Sequence, residues 1–152
     1  MLFVSKNRGF TLIELAIVVA IVGVLAAVSI PIFDSFSDAS KIDELHSNML
    51  IAAEAQEKFF LEKGRYGTTL IDKTKLKKFN FPEDTEDMQF SSGVVLKKGV
   101  GQGYWISGIR KIKGELHCWL YTSSFMSNDN AASFKEFKPG DSTFKGASCQ
   151  WN

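Results

Sequence analysis

The feature that most constrains this chain is the stretch RGFTLIELAIVVAIVGVLAAVSIPIF, residues 8–33. No charged residue occurs from Leu15 to Ile30, and roughly 20 apolar residues suffice for a helix to cross the hydrocarbon of a bilayer. A carboxylate, Glu14, stands at the head of the run. A charge inside such a segment is costly and usually marks function, so Glu14 requires a partner or a purpose.

Lys6 and Arg8 precede the run, and no acidic residue lies before Glu14. The positive-inside rule therefore keeps the N-terminus cytoplasmic and sends the residues after about 34 across the membrane. Those residues are rich in charge, unlike the run itself. A chain of 152 residues with a net charge of +1 has room for one modest core, and no bulk charge directs it to nucleic acid or an anionic surface. The reading is one hydrophobic segment joined to a soluble domain. In that orientation Cys118 and Cys149 fall in an oxidising compartment, where a disulfide is the natural expectation. Closing that loop of about 30 residues would contribute roughly 3 kcal/mol. The alternative is two unrelated buried thiols. No CxxC pair or His/Cys cluster accompanies them, which argues against zinc.

Three readings of the N-terminus compete. A secretory signal peptide could use Val24 and Ala26 as small residues at a cleavage point, but Glu14 interrupts the apolar region such a signal needs. A plain uncleaved anchor has the right length and leaves Glu14 unexplained. The third reading accounts for more residues. The segment RGFTLIEL, with Lys6, Arg8, Gly9, Phe10, Thr11, Leu12, Ile13 and Glu14, resembles the processing site of type IV prepilins and related pseudopilins. The resemblance is close over residues 6–33, including Pro31, and looser over AEAQEKFFLEKGRYG.

The resemblance implies that a prepilin peptidase cuts between Gly9 and Phe10 on the cytoplasmic side and methylates the new amine of Phe10. The residues suit that chemistry. Gly9 has no side chain, so a protease can approach its backbone closely. Cleavage removes Lys6 and Arg8 and leaves an amine about 6 Å along a helix from Glu14. In a filament both groups would be buried among apolar helices, and a buried carboxylate needs a charged or hydrogen-bonded partner. The Phe10 amine of a neighbouring subunit is the obvious one, which makes Glu14 a register device. In the unassembled subunit Glu14 reads as a carboxylate solvated at the bilayer edge.

The expected architecture is α+β, the type IV pilin fold: a long N-terminal α-helix packed on a C-terminal antiparallel β-sheet with a disulfide-bounded tail. The domain scheme is a leader over 1–9, a transmembrane or filament-core helix over 10–33, and a globular domain over 34–152. Within the last, an amphipathic helix is expected over 34–63, a loop over 64–86, and the sheet with a C-terminal loop over 87–152. Ile42, Leu45, Met49, Ala52 and Phe59 recur at helical spacing, with Phe60 widening the stripe. Glu54 and Lys58 are placed to pair, and Gly64 suits a left-handed cap. Pro31 removes a backbone donor, so a kink or local opening is expected there. MQFSSGVVLKK suggests two short strands around Ser92 and Gly93. GYWISGIRKIKGELHCWLYTS reads as a hairpin turning near Lys113 and Gly114. Tyr104, Ile106 and Gly108 share one face, and Trp105, Ser107 and Ile109 the other. Cys118 shares a face with Leu116 and Leu120. The tie from Cys118 to Cys149 matches the disulfide-bounded C-terminal region of many type IV pilins.

No catalytic set is present, since His46 and His117 have no evident nucleophile beside them, and no enzyme activity or cofactor is expected. Asn128, Asp129, Asn130 and Asp141 offer oxygen ligands for calcium but lack an EF-hand pattern, so no metal site is assigned. Lysines at 73, 75, 77 and 78, at 97 and 98, and Arg110, Lys111 and Lys113 form basic clusters that invite comparison with DNA-binding surfaces. The simpler reading is a solvated face balanced by Glu83, Asp84, Glu86 and Asp87. The resemblance implies a structural subunit of a type IV pilus, used for adhesion, twitching motility or DNA uptake. Its partners would be other copies of itself, the prepilin peptidase, the inner-membrane pilus assembly machinery, and the membrane before assembly. Its location would be the inner membrane, with the C-terminal domain periplasmic, and then the extracellular pilus. The alternatives are a pseudopilin of type II secretion or a minor pilin that binds DNA.

Overall fold

A computed structural model describes residues 10–97, 101–123, 132–138 and 149–151. The chain divides into two compact units, residues 1–39 and 40–152. Helix α1, Leu12–Lys63, contributes to both. In the first unit the large apolar side chains from Phe10 to Phe36 are all exposed. The helix is long and apolar enough, by length and composition, to cross a membrane. It runs through Gly23 and Pro31 without a break in helical structure, so the expected opening at Pro31 is not seen. A proline deletes one ladder donor, but its fixed φ is itself helical.

The second unit is a helix laid on a four-stranded antiparallel meander. Strands β1 (Met88–Lys97), β2 (Gly101–Ile112), β3 (Glu115–Thr122) and β4 (Ser133–Phe137) pair in chain order. The predicted stripe forms the seam: Leu45, Met49, Ala52 and Phe59 are fully buried in one core with Phe90, Tyr104 and Ile106. Alanines at 52, 53 and 55 keep the helix surface low where the sheet meets it. Gly108 takes this further, since a β-carbon there would lie 2.7 Å from Met49 Sδ and 3.0 Å from Leu45 Cδ1. His46 packs edge-on against Trp119, with ring centroids 4.3 Å apart, and against Phe134 at 4.8 Å. Burial lowers its pKa, as expected for an imidazole among aromatic rings.

Several local expectations are met. Gly64 closes α1 at φ +69°, its N–H bonding to Phe60 O at 2.8 Å. Lys58 and Glu54 pair at 2.6 Å. The β2–β3 turn places Lys113 at φ 51° and Gly114 at φ 88°, the positive pair that a tight hairpin requires. Trp105, Ile109, Cys118 and Leu120 line the opposite face of the sheet in a second core, with Phe137 and Cys149.

Three expectations are corrected. The segment read as a loop over 64–86 holds a helix, α2, Thr69–Lys77. Its buried residues are Asp72 and Leu76, while Leu70 and Ile71 are exposed, so most of its apolar residues do not mark its inner face. MQFSSGVVLK is one strand, not two. Gly93 sits inside it opposite Trp105, and a β-carbon there would overlap the indole; the glycine answers a close approach rather than a turn. The tail expected as a loop contributes β4 to the sheet.

Gly108→Ala is expected to destabilise the protein by about 1–3 kcal/mol, the usual cost of overpacking a filled core. Denaturant titration of the full chain in detergent checks this. The cost should shrink when Met49 is shortened to Val in the same molecule, because the two closest contacts are then removed and only Leu45 is left to give way.

Candidate functional site

The first turn of α1 answers the question that Glu14 poses. Thr11 directly precedes the helix, and its side-chain oxygen accepts the Glu14 N–H at 3.3 Å. The Glu14 carboxylate reaches back and accepts both the Thr11 N–H at 2.9 Å and the Thr11 hydroxyl at 2.8 Å. This is a capping box, in which the first residues satisfy donors that the helix itself leaves unpaired. The sequence reading does not include this contact, although Thr-Leu-Ile-Glu carries its local signal, a threonine followed three residues later by a glutamate. The box turns the carboxylate toward the N-terminal end of the helix, where Phe10 is 87 % exposed. A carboxylate has about four acceptor positions, so two bonds from Thr11 leave room for a further donor.

Of the other residues singled out at this end, Lys6, Arg8 and Gly9 lie outside the described residues. Pro31 stands on the same helix about 25 Å further along, so the structure does not bring it to Glu14.

In the second unit the chemistry-bearing residues are engaged with each other. Cys118 and Cys149 form a disulfide with Cα atoms 5.7 Å apart, which fixes Cys149–Trp151 to the outer face of the sheet. Asp72, buried on α2, takes a two-pronged bond from Arg65 at 2.9 and 3.0 Å and another from Lys75 at 3.2 Å. Gln56, fully buried on α1, holds the Gly67 N–H and C=O, each at 2.9 Å, and reaches Ser92. Together they fasten the α1–α2 connection to helix and sheet.

The basic clusters are largely spent on the fold. Lys73 pairs with Asp84, Lys75 with Asp72 and Lys77 with Glu83. Arg110 is buried, bonding Glu44 at 2.6 Å, Asp87 at 2.8 Å and the Lys41 carbonyl at 2.9 Å. Paired cations have less to offer a phosphate backbone. Among the described residues no group of His, Cys, Asp and Glu could hold a metal ion. Asn128, Asp129, Asn130 and Asp141 lie outside them.

The prokaryotic N-terminal methylation motif matches residues 4–30. The chain is 55 % identical over 64 residues to the type IV major pilin protein PilA of Myxococcus xanthus, covering 42 % of this chain and 29 % of that one. It is 38 % identical over 66 residues to the type IV major pilin protein PilE1 of Neisseria gonorrhoeae, covering 41 % and 38 %. A fimbrial protein of Pseudomonas aeruginosa is 35 % identical over 93 residues, covering 60 % and 54 %. The chain thus spans from under a third to about half of the length of these relatives. No solved structure matches it significantly. The methylation motif falls on the start of the long apolar helix α1, ahead of the helix-on-sheet unit and its disulfide. Over part of its length the chain is thus similar to proteins named type IV major pilins and fimbrial proteins.

The Asp72 cluster gives a pH prediction. The Arg65 guanidinium, followed by Lys75 and the Thr68 N–H, holds the Asp72 carboxyl down to about 2 against the burial that raises it, from an ordinary value of 3.8. A carboxyl depressed by folding adds stability that is complete above its unfolded pKa and is lost as pH falls toward the folded one. The melting temperature should therefore drop between about pH 4 and pH 2. Asp72→Asn should lower it at neutral pH and flatten that leg of the profile.

Proposed function

We propose that the chain is the structural subunit of a type IV pilus, made as a precursor and built into a helical surface filament. The observation that carries this reading is the capped carboxylate of Glu14 at the head of an exposed apolar helix, directly after the Gly9–Phe10 junction. Similarity to proteins named as major pilins and fimbrial proteins supports it. Residues 1–9 act as the leader, 10–33 as membrane anchor and then filament core, and 34–152 as the displayed domain.

The mechanism follows from what each group needs. Prepilin peptidase cuts after Gly9 and methylates the Phe10 amine. The subunit waits in the inner membrane with its C-terminal domain in the periplasm, its apolar side chains covered by lipid. In the filament the same side chains pack on those of other copies. Glu14, already turned toward the N-terminal end by Thr11, accepts the Phe10 amine of a neighbour. Burial makes that pair selective, because a mis-staggered subunit leaves two charges unpaired in apolar surroundings. Pro31 serves as the point where the helix yields on assembly. The inner-membrane assembly machinery supplies the motion, and the fibre serves adhesion, twitching motility or DNA uptake.

Intact-mass analysis of sheared filaments should find a chain beginning at methylated Phe10. A mature start after Ala26 would overturn the reading, and so would a deletion strain whose surface filaments are unchanged. Glu14→Val should leave membrane insertion and the disulfide intact while cutting filament yield severely. Removing one member of a buried pair costs about 3–5 kcal/mol, and this recurs with every subunit added. Glu14→Asp keeps the charge with a shorter reach and should be intermediate. Comparing sheared filaments with the membrane pool, in cells lacking the wild-type chain, measures both.

A further inference from the structure

His46 stands in the seam where α1 meets strands β3 and β4. Its ring packs edge-on against Trp119 of β3, with centroids 4.3 Å apart, and against Phe134 of β4 at 4.8 Å. Phe134 in turn touches Tyr121 at 5.0 Å. One imidazole thus joins the helix to two strands at once.

The ring is only half-buried, but its Nε2 is sealed from solvent and makes no hydrogen bond, and Trp119 Nε1 is in the same state. A neutral imidazole carries an N–H on one nitrogen and a lone pair on the other, so it tolerates one bare, sealed nitrogen. A protonated imidazole carries an N–H on both. Its Nε2–H is then a buried donor without an acceptor, which costs most when the group is charged. Trp119 Nε1 is itself a donor and offers it no lone pair. The neighbouring ring faces attract a cation, but they do not replace the missing acceptor.

The ionisable groups around the ring do not supply that acceptor either. Asp43, one turn back on α1, favours the charged form, but burial outweighs it and holds the His46 pKa below its ordinary value of 6.5. On the helix-facing side of the sheet stand His117 of β3, two residues from Trp119, and Glu136 of β4, opposite Trp119 in register. Arg110 of β2, opposite His117, is bonded to Glu44, Asp87 and the Lys41 carbonyl. None of these groups bonds Nε2. We propose that His46 is an acid-sensitive latch: neutral, it holds α1 against Trp119 and Phe134; protonated, it releases them and uncovers an aromatic surface of Trp119, Tyr121 and Phe134. Leu45, Met49 and Phe59 do not titrate, so α1 stays docked on β1 and β2 while the β3–β4 side opens. A pKa depressed by folding adds stability that is complete above the unfolded pKa and is lost as pH falls toward the folded one. The latch therefore loosens below about pH 6.5, apart from the more acidic window of Asp72. It lies within the second unit and does not depend on the pilus reading.

The test follows the Trp119 indole N–H, which is sealed and so exchanges with solvent only when the seam opens. The full chain, in uncharged dodecyl maltoside micelles, is transferred to heavy water at a series of pH values from mildly alkaline to mildly acidic. Exchange rates are divided by those of N-acetyl-tryptophanamide at the same pH. Protection of Trp119 should fall by up to about tenfold per pH unit below about 6.5, the limit for one proton. Trp105, buried on the opposite face, should keep its protection. His46→Phe keeps a ring in the seam and removes the titration, so its profile should be flat. Where that variant does not fold, NMR titration of the His46 Cε1–H in the unaltered chain decides: a midpoint below the ordinary histidine value supports the latch, and one at or above it overturns it. Constant Trp119 protection across the range would overturn the proposal. So would a fall that persists in His46→Phe, which would point to His117, or a parallel fall at Trp105, which would mean that the whole unit unfolds.

Discussion

The seam between α1 and the sheet is the contact on which the rest of the globular unit depends. It works because the two surfaces approach closely: alanines line the helix, and Gly108 faces Met49 and Leu45. Burial of Leu45, Met49 and Phe59 provides the hydrophobic gain, while polar groups at the margins fix the geometry. Arg110 clamps one end to Glu44, Asp87 and the helix backbone. Gln56 clamps the other to the α1–α2 connection. These groups are expensive to bury alone; Gln56 uses both ends of its amide, and Arg110 makes three bonds while its Nε is left without a partner, so both favour one arrangement.

The plan of the fold was legible because it rests on periodicity. The helical stripe, the alternation of Tyr104, Ile106 and Gly108 against Trp105 and Ile109, the Lys113–Gly114 turn and the cysteine pair all appear as local patterns. What escaped depended on a distant partner. Gly93 resembles a turn residue until Trp105 is placed opposite it. Helix α2 buries a carboxylate and exposes Leu70 and Ile71, so its inner face becomes readable only once Arg65 is known to pair with Asp72. Arg110 reads as part of a basic surface cluster, although its alternation with Tyr104, Ile106 and Gly108 already put it on the helix-facing side. The capping box is different: its signal, Thr11 and Glu14 three residues apart, is local and complete.

The two units treat apolar surface in opposite ways. The described residues of 40–152 form two apolar cores, one on each face of the sheet, and the disulfide secures the second. In residues 10–36 the large apolar side chains are exposed, so this segment carries a surface that water does not tolerate. The lipid bilayer and a bundle of like helices are both suitable environments for it, and the difference between them is small because lipid tails are as apolar as leucine. Hydrophobicity can therefore hold such a helix in either place but cannot choose its register.

Register must then come from polar groups, and the Thr11–Glu14 box changes how that choice is made. Were Glu14 unpartnered, moving it into an apolar environment would carry the whole cost of desolvating a carboxylate. Two bonds from Thr11 offset part of that cost, and being internal to one subunit they are available in either environment. A contribution equal in both states cannot drive the transfer between them. The drive must come from a donor present in only one state, and a cation supplied by another subunit meets that condition. In the proposed filament Thr11 has a separable role: it lowers the cost of carrying the charge and orients it, while the incoming cation sets the stagger. Thr11→Val should accordingly weaken assembly less than loss of the carboxylate itself, because the attracting charge survives with a poorer aim. An assembly defect in Thr11→Val as deep as that of Glu14→Val, measured as the ratio of sheared filament to membrane pool, would show that orientation rather than charge is the limiting element.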